Sequence, residues 1–306
     1  MNEPIRRFER PGKQATDGFL RQEWLVTNGL GGYASGTIVG VTTRRFHGLL
    51  VAALPTPFGR TMMFNHLIER LHLPDGSIVQ LCGEECRPDE VAMPCADILT
   101  EFRLEMGLPV WRFEVGGVTL EKHLLMPHLQ NTVHVTYRLL SGPAPARIEL
   151  RPAIHFRPHE GLVSEAPAEP YTLVIVDDRY EIIGGADYPP LRMRLYGEDA
   201  SLTLDRGVIK DLFYRVEARR GYDSQGVLWS PGCFNVTVGS DKDATLTAST
   251  EPWATISALS PREALLAEIE RRQRLLSAPP APAHTSFGAE LTLAADQFII
   301  IPAGRV

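Results

Sequence analysis

The sequence predicts an all-β, mainly antiparallel protein built as one large β-sandwich of the supersandwich, galactose-mutarotase-like kind. Three observations predict it. More than a dozen short segments rich in β-branched and aromatic residues precede residue 258. Turn signals recur about every 8 to 15 residues between them. No helical apolar period intervenes to build βαβ crossovers.

Taken in order, the predicted strands are residues 37–42, 47–54, 111–115, 118–126, 132–140, 146–154, 171–176, 180–185, 191–196, 201–205, 212–218, 234–239 and 244–249. Most are bounded by Gly, Pro, Asp or Asn, and several alternate polar with apolar residues as a half-buried strand must. Leu73-Pro-Asp-Gly-Ser77 and Glu114-Val-Gly-Gly-Val118 are predicted hairpin turns, because glycine supplies the positive φ that tight turns require. The charges of Arg192-Met193-Arg194 suit an edge strand that must not pair with another chain. After residue 258 the pattern changes. Ser260-Pro261-Arg262-Glu263 is a capping box with proline at the first helical position, and it predicts a helix over 261–276. The proline-rich stretch 278–283 reads as a semi-rigid linker, and helical apolar spacing resumes in FGAELTLAADQFII. The expected division is a sandwich over 1–258, a linker helix and proline-rich linker over 259–284, and the truncated start of a further domain over 285–306.

Composition narrows the partners. Thirty-one Lys and Arg against 37 Asp and Glu give a formal charge of −6 with no basic run, which argues against nucleic acid and anionic membrane. No apolar run nears the roughly 18 residues of a membrane span, and the N-terminus MNEPIRRFERPGK lacks an apolar signal core, so the expected location is cytoplasmic. Four cysteines in 306 residues make no disulfide framework. The spacings of Cys82, Cys86 and Cys95 match no zinc motif, so no metal and no cofactor are expected.

Polar residues concentrate in three stretches. The first runs from Trp24 through Asn28, four close glycines and Tyr33 to Arg44, Arg45, Phe46 and His47. It is neither GxGxxG between strand and helix nor a GK[ST] loop, so a nucleotide is not indicated. A tight glycine-rich turn accounts for it; so does a sugar site in which planar donors meet hydroxyls and an aromatic ring covers the apolar sugar face. On a strand, Arg45 and His47 would share one face, with Arg44 and Phe46 on the other. The second stretch, Tyr214 to Asp223, carries Glu217 and Arg219 two apart, as a structural ion pair on one strand face would be. The third, Arg151 to Glu160, alternates His and Arg at a strand end. No GxSxG elbow occurs, and among the acids only Glu69, Glu217 and Asp223 have basic or aromatic neighbours that hint at a site. No catalytic set is predicted.

EWLVTNGLGGYASGT with TRRFHGLLVA resembles the opening of bacterial and archaeal type glycogen debranching enzymes, the amylo-α-1,6-glucosidases. The HLPDG turn, LPVWRFEVGGVTLEKHLLMPHLQNTVHVTY, ELRPAIHFRPHE, EARRGYD with WSPGCF, and AADQFII extend the resemblance along the chain from about Phe19. It implies an N-terminal β-sandwich that binds glycogen or a branched α-glucan and supports an (α/α)6 domain, which cleaves α-1,6-linked glucose with its own carboxylates. It implies that the catalytic residues lie outside these 306, and that Asn28, Tyr33, Arg44, Arg45 and His47 lie near the surface shared with that domain. FRPHE departs from the family, which more usually has an acidic residue after the arginine. Two other readings stand beside it: a free-standing sugar epimerase or mutarotase-like enzyme using His155 with Glu217, and a purely structural scaffold. A missing partner domain also predicts exposed apolar surface near 261–306.

Overall fold

The computed structural model describes residues 6–9, 16–143, 145–167, 170–205, 207–278 and 286–302. The predicted proline-rich linker falls almost wholly outside them. Every strand pairing among the described residues is antiparallel. A nine-stranded sheet has the order Arg6–Glu9, Leu99–Glu105, Leu108–Val115, Val118–Leu125, Thr132–Ser141, Ala244–Ser249, Leu191–Tyr196, Arg179–Ile183 and Thr172–Val176. One five-stranded sheet runs Glu198–Leu204, Gly232–Val238, Ala146–Ala153, His66–His72 and Ile78–Gln80. The other runs Arg157–Pro158, Gly59–Phe64, Gly48–Leu54, Tyr33–Thr37 and Glu23–Thr27. The predicted fold class is what the structure has: an all-β sandwich.

Alternation builds the core. Val133, Val135 and Tyr137 of the large sheet, Leu67, Leu71, Ile148 and Leu150 of the second, and Leu50, Ala52 and Met63 of the third belong to one buried cluster. Each large apolar side chain so buried contributes about 1.5–3 kcal/mol. The hairpins at Gly76 and at Gly116-Gly117 have the expected positive φ values of 85°, 56° and 77°.

Among the described residues five α-helices decorate the sheets: α1 (Thr16–Arg21), α2 (Arg215–Arg219), α3 (Trp253–Ile256), α4 (Pro261–Ser277) and α5 (Ser286–Asp296). The capping box opens α4 as its sequence requires: Ser260 Oγ accepts from Glu263 N, and the Glu263 carboxylate takes the Ser260 N–H at 2.8 Å. Helix α4 is bound to the sheet by charge as well as by Ala264. Arg272, 3% exposed, pairs with Glu268 at 2.7 Å and donates to the Met106 carbonyl in the turn between the second and third strands of the large sheet. Arg271 joins Glu268 to Asp296 of α5, both at 2.9 Å, and the Ile301 N–H donates to the Gly29 carbonyl.

Three expectations are corrected. The strand predicted over 37–42 ends at Thr37, and 44–47 form a turn. The segment 212–218 divides, its strand ending at Phe213 and its remainder forming α2. Leu191–Tyr196 is an interior strand, hydrogen-bonded on both sides; Arg192 there pairs with Glu181 and caps the Thr250 and Glu251 carbonyls instead of guarding an edge.

Candidate functional site at the sandwich rim

The three polar stretches of the sequence converge at one rim. The turn 44–47 closes when the His47 N–H donates to the Arg44 carbonyl, and the Thr43 N–H donates to His47 Nδ1 at 3.3 Å. With Nδ1 occupied as an acceptor, Nε2 carries the ring proton and faces the Glu23 carboxylate at 3.5 Å. Arg44 Nε reaches the same carboxylate at 2.6 Å. Burial alone would raise the Glu23 pKa, but hydrogen bonds from His47 and Arg44, with the Arg44 charge, outweigh it and hold it at about 2. The turn thus brings Arg44 and His47 to one carboxylate, where strand geometry would have set them on opposite faces.

Arg45 goes the other way, toward α2. Its backbone N–H donates to Glu217 Oε1 at 3.3 Å, its Nη1 donates to the Glu160 carbonyl at 3.1 Å, and its Nε lies 3.8 Å from Glu217 Oε2. The guanidinium stands over two rings, Phe46 at 4.9 Å and Tyr222 at 5.4 Å, the cation–π arrangement that planar Arg favours. Arg45 Nε and Glu217 Oε2 are both buried without a hydrogen-bond partner. Glu217 is fully buried and Arg219 exposed, so the predicted Glu217–Arg219 strand pair does not form. On a short helix, residues two apart do not face each other.

Several side chains fix this geometry. The Val216 N–H donates to the Thr43 carbonyl, tying α2 to the turn, and Arg215 makes two 2.7 Å bonds to buried Glu85. Arg157, 3% exposed, donates to the Arg45, Pro158 and His159 carbonyls and lies beside the buried Tyr214. Burial lowers its pKa, and the three carbonyls hold the charged group in place, so the arginine of FRPHE clamps the rim from beneath. The Tyr33 hydroxyl donates to the Phe46 carbonyl at 3.0 Å, and burial raises its pKa to about 12. The His159 ring packs against Phe46 at 5.6 Å. What remains open to solvent is one edge of a 22% exposed planar cation, flanked by Phe46, His159 and the 56% exposed Tyr222. That surface can stack on a sugar ring and donate to its hydroxyls.

Other predicted residues are placed elsewhere. Trp24 is buried, donates to the Thr37 carbonyl and meets Trp111 edge to face at 5.3 Å. Asn28 is fully buried: its Nδ2 donates to Gln130 O and Asn131 Oδ1, and its Oδ1 accepts from Leu30 N. A Cβ on Gly32 would stand 2.7 Å from that amide and 2.8 Å from the Val51 carbonyl, so the glycine-rich motif serves close packing here. His155 is buried with its pKa lowered to about 4, first by burial and then by Arg157; no described bond joins it to Glu217. Glu69 lies inside the sandwich, where it accepts from the Tyr137 hydroxyl and from Lys122 at 2.8 Å. Lys122 itself stands over Trp111. The four cysteines are free thiols. Sequence reasoning did not join Tyr222 and His159 to Arg45, nor find the Glu85–Arg215 support. Their only local signal is an aromatic or acid beside a basic residue.

Fold and rim define an antiparallel β-sandwich domain with a polar, aromatic edge. Residues 22–245 match the family described as glycogen debranching enzyme N terminal, and the chain belongs to that family. Among solved structures it is similar to a bacterial glucoamylase complexed with acarbose, at 7% identity and a TM-score of 0.33, over 97% of this chain and 36% of that one. The chain thus spans about a third of that protein's length. No curated protein matches. Among the described residues no helix is long and apolar enough to cross a membrane.

Proposed function

We propose that this chain is the glucan-binding and supporting domain of a debranching glycoside hydrolase, and that the rim around Arg45 is where it touches glycogen or a branched α-glucan. The observation that carries the reading is Arg45 itself, held against Phe46 and Tyr222 with its charge backed by buried Glu217 and its side chain 22% exposed. Rings offer the apolar contact and the guanidinium the hydroxyl contact that a glucan needs. In this reading cleavage of α-1,6-linked glucose belongs to an (α/α)6 domain of the same protein. The domain works in the cytoplasm in glycogen metabolism. The exposed Phe298, Ile299, Ile300 and Ile301 are the surface that this partner covers.

Affinity electrophoresis through gels with and without glycogen tests the proposal. Retardation of the wild-type chain, abolished by Arg45→Ala and kept by Arg219→Ala, is the expected result. Equal mobility of the wild type in both gels would leave only the scaffold role.

A further inference from the structure

Apart from the rim, the structure gathers three side chains of metal-binding type that the sequence leaves scattered. A ring nitrogen of His66, the Sγ of Cys82 and a carboxylate oxygen of Glu84 lie within 4.8 Å of one another. His66 begins the strand His66–His72, Cys82 sits in the turn after Ile78–Gln80, and Glu84 opens the next hairpin. His66 is 8% exposed, and its Nε2 is buried without any hydrogen-bond partner. An imidazole nitrogen withdrawn from water and left unbonded is destabilising unless something occupies it.

Gln80 supports the same reading. Its Nε2 donates to Glu84 Oε1 at 3.1 Å and approaches Cys82 Sγ at 3.7 Å, so one amide orients two of the three candidate ligands. A cavity of about 40 Å³ lined by both His66 and Cys82 has room for a water as fourth ligand. Charge balances as well: a thiolate and a carboxylate together neutralise a dication, while the nearby Lys122 is already paired with Glu69. Cys95 is otherwise engaged, its thiol donating to the Val39 carbonyl.

We propose that His66, Cys82 and Glu84 form a binding site for a borderline divalent cation, zinc before calcium or magnesium, because the donor set is nitrogen, sulfur and oxygen. Ligand atoms around a tetrahedral zinc stand roughly 3.5 Å apart, so side-chain movements of about 1 Å close the site. Binding releases the Cys82 thiol proton to solvent and forms the Zn–S bond in its place. The ion would pin the hairpin Glu84–Arg87 and Glu90–Ala92 to the second sheet. That hairpin carries Glu85, which holds Arg215 and therefore α2.

The test is cobalt titration of the whole metal-stripped chain under reducing conditions. A near-ultraviolet thiolate-to-cobalt band with strong visible d–d absorption, both quenched by zinc, is expected. Cys82→Ser should remove the charge-transfer band, Cys95→Ser and Cys233→Ser should keep it, and Gln80→Ala should weaken affinity about 10-fold. If Cys82→Ser fails to fold, Glu84→Gln, on a less buried residue, carries the same test through its loss of cobalt affinity. The wild type also reports without mutation, its melting temperature rising with zinc and falling back with chelator. Absence of a cobalt spectrum in the wild type, or a thiolate band that survives Cys82→Ser, overturns the site.

Discussion

The carboxylate of Glu217 accepts the backbone N–H of Arg45 at 3.3 Å, across 172 positions of sequence. One oxygen thereby fixes the turn that carries Arg45, while the other stands behind the guanidinium. The acid that sequence spacing pairs with Arg219 is instead the hub of the rim.

Replacing Glu217 by Ala therefore removes an acceptor from a half-buried main-chain donor and the counter-charge from Arg45. A loss of about 2–4 kcal/mol in urea unfolding is expected. Arg219→Ala, which touches no described partner, should stay within about 0.5 kcal/mol of wild type. Equal costs for the two variants would mean that the contact stabilises nothing.

Gly32→Ala should be among the most damaging small substitutions, because the new methyl meets the Asn28 amide and the Val51 carbonyl at 2.7 and 2.8 Å. Neither neighbour is free to move, since Asn28 is held by three hydrogen bonds. A cost above about 2 kcal/mol is expected. Gly59→Ala, with open space around its Cβ and only a φ of 60° to oppose it, should cost about 1 kcal/mol. Thermal melts of the two variants decide the order.

Acid should weaken the fold well before the carboxylates titrate. Burial lowers the pKa of both His134 and His155 from 6.5 to about 4. The unfolded chain takes up those protons first, so the stability these neutral rings contribute is present above pH 6.5 and is lost as pH falls toward 4. Urea midpoints measured from pH 8 to 4 should drop by the equivalent of a few kcal/mol over that interval. His134→Gln, which retains a partner for Thr247, should show a shallower drop. Glu23, held at about 2, adds a second loss between about pH 4.5 and 2.

The tail should drive self-association. Phe298 is 84% exposed and Ile299, Ile300 and Ile301 follow it on the surface. Sedimentation velocity should show concentration-dependent dimers or larger species, which Phe298→Asp with Ile299→Asp reverses. A monomer at every concentration and salt would argue that this patch is inert.

Much of the architecture was legible, because hairpin glycines, alternating strands and the Ser260–Glu263 box act locally. The failures share one cause. Thr42-Thr43-Arg44 has strand-like composition, yet the bond from Thr43 N–H to His47 Nδ1 satisfies the backbone in a turn, and that option depends on Glu23 from another strand holding the imidazole. Gly221, at φ 73°, is the one local sign that the helix before it must stop. Arg192 looked like an edge charge because strand order is set by pairing with residues 244–249, far along the chain, which periodicity does not encode. The rim was legible as three separate stretches and not as one place, since their meeting is a matter of long-range packing.

At the far margin of the nine-stranded sheet, Val174, Ile175 and Val176 are all exposed, although strand residues normally turn alternate side chains inward. The outer strand they form overhangs the sandwich with its Leu173 packed on the body, while the neighbouring strand is anchored by Tyr180 and the fully buried Ile182. Amides in that overhang should trade hydrogen for deuterium long before those of Val133–Leu139, making it the hinge-like fringe from which the sheet unzips.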